Sequence, residues 1–124
     1  MKIVASGVSA VPISAAVEVG DLVFVSGQIA YRDGKVVGEN VAQQTNAVID
    51  AIEGILSQLG LTLDNIVKTN VWLVDAKLFS EFNLAYANRL RAPCPARSTV
   101  ISGLAIPGAV VEIDAIASRA SRRS

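Results

Sequence analysis

Between Val41 and Leu59 apolar residues recur at helical spacing, with Val41, Thr45, Val48, Ile49, Ile52, Ile55, Leu56 and Leu59 on one face. Asn40 offers a cap before the run and Gly60 stops it, so the pattern predicts a helix here. Elsewhere the period changes to two. Asp21 to Gly27 is rich in β-formers and reads as a strand, and Asp33-Gly34 predicts a tight hairpin between arms at 29–32 and 35–37. Ile66 to Val74 reads as a further strand, with Val67, Thr69, Val71 and Leu73 on its more apolar face, opposite Lys68, Asn70 and Trp72. Asp75 is placed to cap a second helix carrying Leu78, Phe79, Phe82, Ala85, Tyr86 and Leu90, which Pro93 and Pro95 end. Strands at 97–101 and 109–117 come next, separated by a turn at 103–108. The order β-β-β-α-β-α-β-β predicts a single α+β domain over residues 1–124, with two helices on one face of a mixed sheet. The other face then needs a cover, which oligomerisation would provide.

Composition strengthens that expectation. Apolar residues make up 52% of the 124 positions and charged residues 18%, a high aliphatic load for so short a chain. Eleven basic and eleven acidic side chains cancel, which argues against nucleic acid as a partner, because such binders usually carry a basic stripe. The one basic cluster, Arg119, Arg122 and Arg123, reads as a frayed, solvated C-terminus. With no His, the chain has no Ser-His-Asp triad, Cys-His pair or His-based metal site, and neither metal nor cofactor is expected. A single Cys, Cys94, fits a reducing compartment. The start of the chain lacks a signal-peptide core and no apolar run reaches membrane-spanning length, so a soluble cytoplasmic protein without a membrane partner is expected.

A few polar residues interrupt the apolar pattern. Alternation places Glu112 and Asp114 on one face of the last strand, with Val111, Ile113, Ala115 and Ala117 on the other. Arg97 enters a strand just after Pro95-Ala96, carrying a planar, permanently charged fork matched to a carboxylate. Read locally, it is either a ligand clamp or half of a structural ion pair with Glu112 or Asp114. Ser26 is a ligand contact or simply a strand end. Asn83 reads as solvated, Cys94 as a space-filler, and Trp72 as a rim aromatic or part of a subunit interface.

Four segments bring these residues into one pattern: Val25-Ser26-Gly27-Gln28-Ile29, Ile66-Val67-Lys68-Thr69-Asn70-Val71, Phe82-Asn83-Leu84-Ala85-Tyr86 and Pro95-Ala96-Arg97-Ser98. The last continues at a fixed spacing to Val111-Glu112-Ile113-Asp114-Ala115-Ile116-Ala117. Together they resemble the RidA (YjgF/YER057c/UK114) family of reactive-intermediate deaminases, over about residues 13 to 118. The resemblance implies a chorismate-mutase-like fold in a barrel-like homotrimer, with ligand clefts between subunits. It implies hydrolysis of 2-imino or 2-enamino acids to 2-oxo acids and ammonia, with no cofactor. Arg97 matches the family's carboxylate-binding arginine and Glu112 the glutamate associated with the hydrolytic water. Ser26, Asn83 and Thr99 fall at cleft positions. Two departures stand out. The family's Gly-Pro-Tyr near the N-terminus is replaced by Ile13-Ser14-Ala15-Ala16, and Thr99 stands where Cys is frequent. A deaminase of larger, aminomuconate-type enamine acids and a non-catalytic carboxylate-binding trimer are the competing expectations.

Overall fold

Asn40 does cap the long helix: its side-chain oxygen accepts the Gln43 backbone N–H at 2.9 Å, opening α1 (Val41–Ser57). The structure, a computed structural model, describes residues 1–7 and 10–123. The strands are β1 (Lys2–Ala5), β2 (Ser14–Val19), β3 (Leu22–Gln28), β4 (Tyr31–Arg32), β5 (Lys35–Val36), β6 (Ile66–Leu73), β7 (Ala96–Ile101) and β8 (Val111–Ser118). The second helix, α2, runs over Phe79–Arg89. Asp75 does not cap it directly. Its carboxylate accepts the Lys77 N–H of a short 3-10 turn, Ala76–Leu78, that leads into α2.

Six strands form one mixed sheet in the order β1-β2-β3-β8-β6-β7. Only β6 and β7 run parallel, so β7 is a parallel edge strand. The strands β4 and β5 make the separate small hairpin, turned by Asp33 and Gly34 with φ of 53° and 81°. Those positive values explain why Asp-Gly serves there. The hydrophobic pattern does not announce β1 and β2. Both are short, and β2 opens Ser-Ala-Ala with little apolar alternation.

The helix-covered face holds the core. Val48, Ile49, Ile52 and Leu56 of α1 and Phe82 of α2 are buried with Val23 and Val25 of β3, Val71 and Leu73 of β6, and Val111 and Ile113 of β8. Register then fixes the other face. Phe24 and Leu22 of β3, Val19 of β2 and Val100 of β7 stand on it, and all four are exposed. Trp72 and Ile116 share that face and are half-buried. An apolar sheet face in water is unfavourable and invites a partner.

Two expectations are corrected. Cys94 is exposed rather than filling core space. The C-terminal arginines are not frayed. Arg119 grips the Glu18 carboxylate with two bonds, at 2.7 and 2.9 Å, and reaches the Leu59 carbonyl at 2.7 Å. Its hydrogen bond is the main reason the Glu18 carboxyl titrates below its usual range, against the opposing effect of burial. The pair therefore contributes at neutral pH and is lost as pH falls through the lowered pKa of Glu18. Arg123 bonds Asp64 at 2.9 Å.

Arg122 goes deeper, with its side chain 8% exposed. It donates to the carbonyls of Pro93 at 2.6 Å, Leu63 at 2.6 Å, Arg91 at 3.2 Å and Ile66 at 3.3 Å. Backbone carbonyls carry no sequence signature, which is why composition suggests a loose tail. Replacing Arg122 by alanine leaves these acceptors without their charged donor. A stability loss of about 2–4 kcal/mol is expected, read as a fall in the urea midpoint at unchanged slope.

Candidate functional site

Arg97 owes its position to the β6–β7 register. It pairs with Thr69, which is buried beneath the helices, so the arginine points toward α2. Its guanidinium carbon lies 5.7, 5.3 and 4.9 Å from the ring centroids of Phe79, Phe82 and Tyr86. Spacings of three and four residues put these three aromatics on one face of the helix. Tyr86 is itself fixed by a 2.7 Å hydrogen bond between its hydroxyl and that of Thr69. Burial raises the Tyr86 pKa, so the ring stays neutral under the cation. Cation–π contacts contribute roughly 0.5–2 kcal/mol each depending on exposure, enough to hold the arginine in place.

The ion pair between Arg97 and Glu112 or Asp114 does not form. Among the described residues Arg97 has no carboxylate partner and donates no hydrogen bond, leaving its five N–H groups for another acceptor. Two residues further along the same face is Thr99, whose Oγ1 is buried without a partner. Asn83, one turn beyond Phe79, is not the solvated residue expected: its Oδ1 is buried and also unpartnered. Orphaned buried oxygens cost about 1–3 kcal/mol each and call for an explanation. Three residues on α2 and the edge strand thus have unused hydrogen-bonding capacity.

Glu112 lies on the other side of the sheet. It pairs with Trp72, whose side chain belongs to the uncovered face. Partial burial, and secondarily the charge of Asp114, push its pKa above the usual carboxylate value. Asp114 accepts the Asn70 backbone N–H at 3.1 Å. Beside Glu112 the β3–β8 ladder slips: Val25 pairs with Ala115 but Gln28 with Ile113, so Ser26 and Gly27 form a bulge. The absence of a side chain at Gly27 admits the Glu112 carboxylate, with which a Cβ would collide. Ser26 donates to the Ser14 carbonyl at 2.6 Å, so its hydroxyl hydrogen is already used and only lone pairs remain for a ligand.

The predicted residues therefore fall into two groups. Arg97, Thr99 and Asn83 lie on the helix side, while Glu112 and Ser26 lie by the bulge. The sequence pattern places Gly27 in a strand and Phe79, Phe82 and Tyr86 on a helix but gives none of them a part in the site, although the aromatic spacing on α2 is a usable signal. A cavity of about 530 Å³ opens beside the bulge, between α1, the segment before β2 and the β3–β4 connection. In the stretch that replaces the family's tyrosine motif, Ala16 is buried in the core, whereas Ile13 is 51% exposed and lines this cavity.

A mixed sheet of this order, with two helices on one face and the other bare, defines the chorismate-mutase-like α+β class. The family described as Endoribonuclease L-PSP matches residues 5–119. The mitochondrial protein mmf2 of Schizosaccharomyces pombe is 38% identical over 109 residues, covering 86% of each chain. Among solved structures, Mycobacterium tuberculosis Rv2704, described as a member of the YjgF/YER057c/UK114 family, superposes with a TM-score of 0.85 at 34% identity. That match covers 94% of this chain and 98% of the other. RidA from an Antarctic Psychrobacter superposes with a TM-score of 0.82 at 31% identity over 94% of each chain. The chain belongs to the RidA/YjgF family. Relatives include proteins named mitochondrial, so family membership does not fix a compartment. No helix among the described residues is long and apolar enough to cross a membrane.

Proposed function

We propose that the protein is a hydrolase of 2-imino acids and their enamine tautomers, yielding 2-oxo acids and ammonia. The observation that carries this reading is the Arg97 guanidinium, seated on three aromatic rings with no acceptor from its own chain among the described residues. Such a fork suits a substrate carboxylate bound bidentately. An iminium carbon is already electrophilic, so positioning and proton transfer are what it needs from the protein. Glu112 takes a proton from water as the water oxygen bonds to the imine carbon. That proton passes to nitrogen, the C–N bond breaks and ammonia leaves, while Glu112 takes the remaining hydroxyl proton as the carbonyl forms. Thr99 and Asn83 supply polar contacts beside the arginine, and Ser26 lines the side nearer Glu112.

Because Arg97 and Glu112 face opposite sides of one sheet, the reading requires two copies. Arg97, on the edge strand, serves one subunit's substrate while the neighbour supplies Glu112. A homotrimer, as the family resemblance implies, would also cover the bare sheet face. A reducing compartment such as the cytoplasm suits the exposed Cys94 thiol. The family's endoribonuclease description is a weaker guide to this chain, since its tail arginines are engaged by Glu18, Asp64 and backbone carbonyls.

The test uses imino acids generated in situ by an amino-acid oxidase. Release of 2-oxo acid should outpace spontaneous hydrolysis, and no acceleration would refute the activity. Mixing Arg97→Ala and Glu112→Gln subunits after dissociation tests the shared site. Random reassembly should restore about one quarter of wild-type sites, because each intact site draws one residue from each parent. A site within one chain would recover nothing.

A further inference from the structure

We propose that Arg122, in the C-terminal tail, is a positioning residue for Arg97: it fixes the α2–β7 connection so that the aromatic helix and the arginine meet at their working distance. The inference deepens the imine-hydrolase reading and rests on it only for what Arg97 binds. The connection, residues 90–95, joins the helix that carries Tyr86 to the strand that carries Arg97. Pro93 and Pro95 have no N–H with which to tie it down. Two of its carbonyls are held from the tail instead, that of Pro93 by Arg122 Nε at 2.6 Å and that of Arg91 by Nη2 at 3.2 Å. The same guanidinium donates through Nη1 to the carbonyls of Leu63 at 2.6 Å and Ile66 at 3.3 Å, at the threshold of β6.

One side chain thus joins the start of β6 to the segment between α2 and β7. On β6, Thr69 pairs with Arg97 and bonds the Tyr86 hydroxyl, so the three elements that seat the arginine are all tied to Arg122. The strand β7 has a neighbour on one side only, which leaves its entry to be set by the connection. The tail is itself anchored: the Arg122 backbone N–H donates to the Asp64 carbonyl at 3.0 Å, and Arg123 bonds the Asp64 carboxylate. The Arg122 charge also reaches the Tyr86 hydroxyl, where it opposes the rise that burial causes in the Tyr86 pKa. A buried cation is costly, and an apolar side chain would fill this space without that cost. Fixing carbonyls in two separate segments requires the diverging donors of a guanidinium.

The experiment compares Arg122→Met and Arg122→Lys with Arg123→Ala, which alters the same tail but none of the bonds to the connection. All are assayed where urea curves show the variants folded, which separates placement from lost stability. In Arg122→Met, KM for a 2-imino acid and the dissociation constant of pyruvate should both rise about 3- to 30-fold, with kcat close to wild type. Arg122→Lys keeps the charge and one nitrogen donor, and gives the same reading with a smaller rise should Arg122→Met not assemble. Arg123→Ala should match the wild type. In an Arg97→Ala background, Arg122→Met should cost no further kcat/KM, because its effect runs through the arginine already removed. Unchanged KM and pyruvate affinity in the folded Arg122 variants would overturn the assignment, as would an undiminished loss in the Arg97→Ala background. Weaker pyruvate binding by the Arg122 variants supports it even if no imine is hydrolysed, whereas a wild type that binds no pyruvate overturns it.

Discussion

Arg97→Ala should leave a folded, assembled protein whose kcat/KM for a 2-imino acid falls about 30- to 5,000-fold, the equivalent of about 2–5 kcal/mol of lost binding. Among the described residues the arginine has no carboxylate partner in its own chain. Its removal strands no buried counter-charge there, so the structural penalty is limited to the contacts with Phe79, Phe82 and Tyr86. Arg122 is the contrasting case, since its bonds run to four carbonyls of its own chain and its loss should appear in stability. Arg97→Lys is the informative companion. It retains charge but lacks the planar fork, so most of the loss should persist if recognition is bidentate. The measurement is initial-rate kinetics on variants whose assembly has been verified by sedimentation. Unchanged kcat/KM in an assembled Arg97→Ala protein would remove the carboxylate anchor from the mechanism.

Glu112→Gln is expected to lower kcat by about 10²- to 10⁴-fold, the usual range for losing a positioned general base. The variant is nearly isosteric, and among the described residues the carboxylate makes no ion pair that its loss would break. Its pH behaviour gives a second readout. Burial, followed by the nearby charge of Asp114, raises the Glu112 pKa, while a base must be deprotonated to act. Wild-type activity should therefore rise with pH through a limb lying above the ordinary carboxylate range, and that limb should vanish in Glu112→Gln. Stability should move the opposite way. A carboxyl whose native pKa is raised binds its proton more tightly folded than unfolded, so the fold loses stability as pH climbs from the unfolded to the native pKa. Urea midpoints across that window should decline in the wild type and decline less in the variant. A variant with normal kcat and an unaltered acid limb would exclude Glu112 as the water's base.

Much of this architecture is legible in the residues, and the missing parts share a cause. The segment Val41–Ser57 declares itself through period and cap, and strict alternation correctly separates Glu112 from Ile113. Within any one strand, parity gives the face. Between strands it does not. Whether Arg97 and Glu112 share a face depends on two registers, Thr69 with Arg97 and Trp72 with Glu112, and neither register is written locally in the sequence. The local expectation of an ion pair fails for that reason. The tail arginines escape a local reading because their partners include main-chain carbonyls, and Asn83 because a buried amide oxygen without a partner contradicts ordinary statistics. The resemblance of Pro95-Ala96-Arg97-Ser98 and Val111-Glu112-Ile113 to a family supplies the candidate chemistry. The folded chain adds that these groups cannot meet within one copy.

The two-faced placement of Arg97 and Glu112 also has a kinetic signature under mass action. If each reaction centre is assembled from two copies, specific activity must fall on dilution below the subunit dissociation constant, while the circular dichroism of the separated chains need not report unfolding. Concentration would then set the number of working centres directly, and a lag in activity after rapid dilution would time the parting of the subunits.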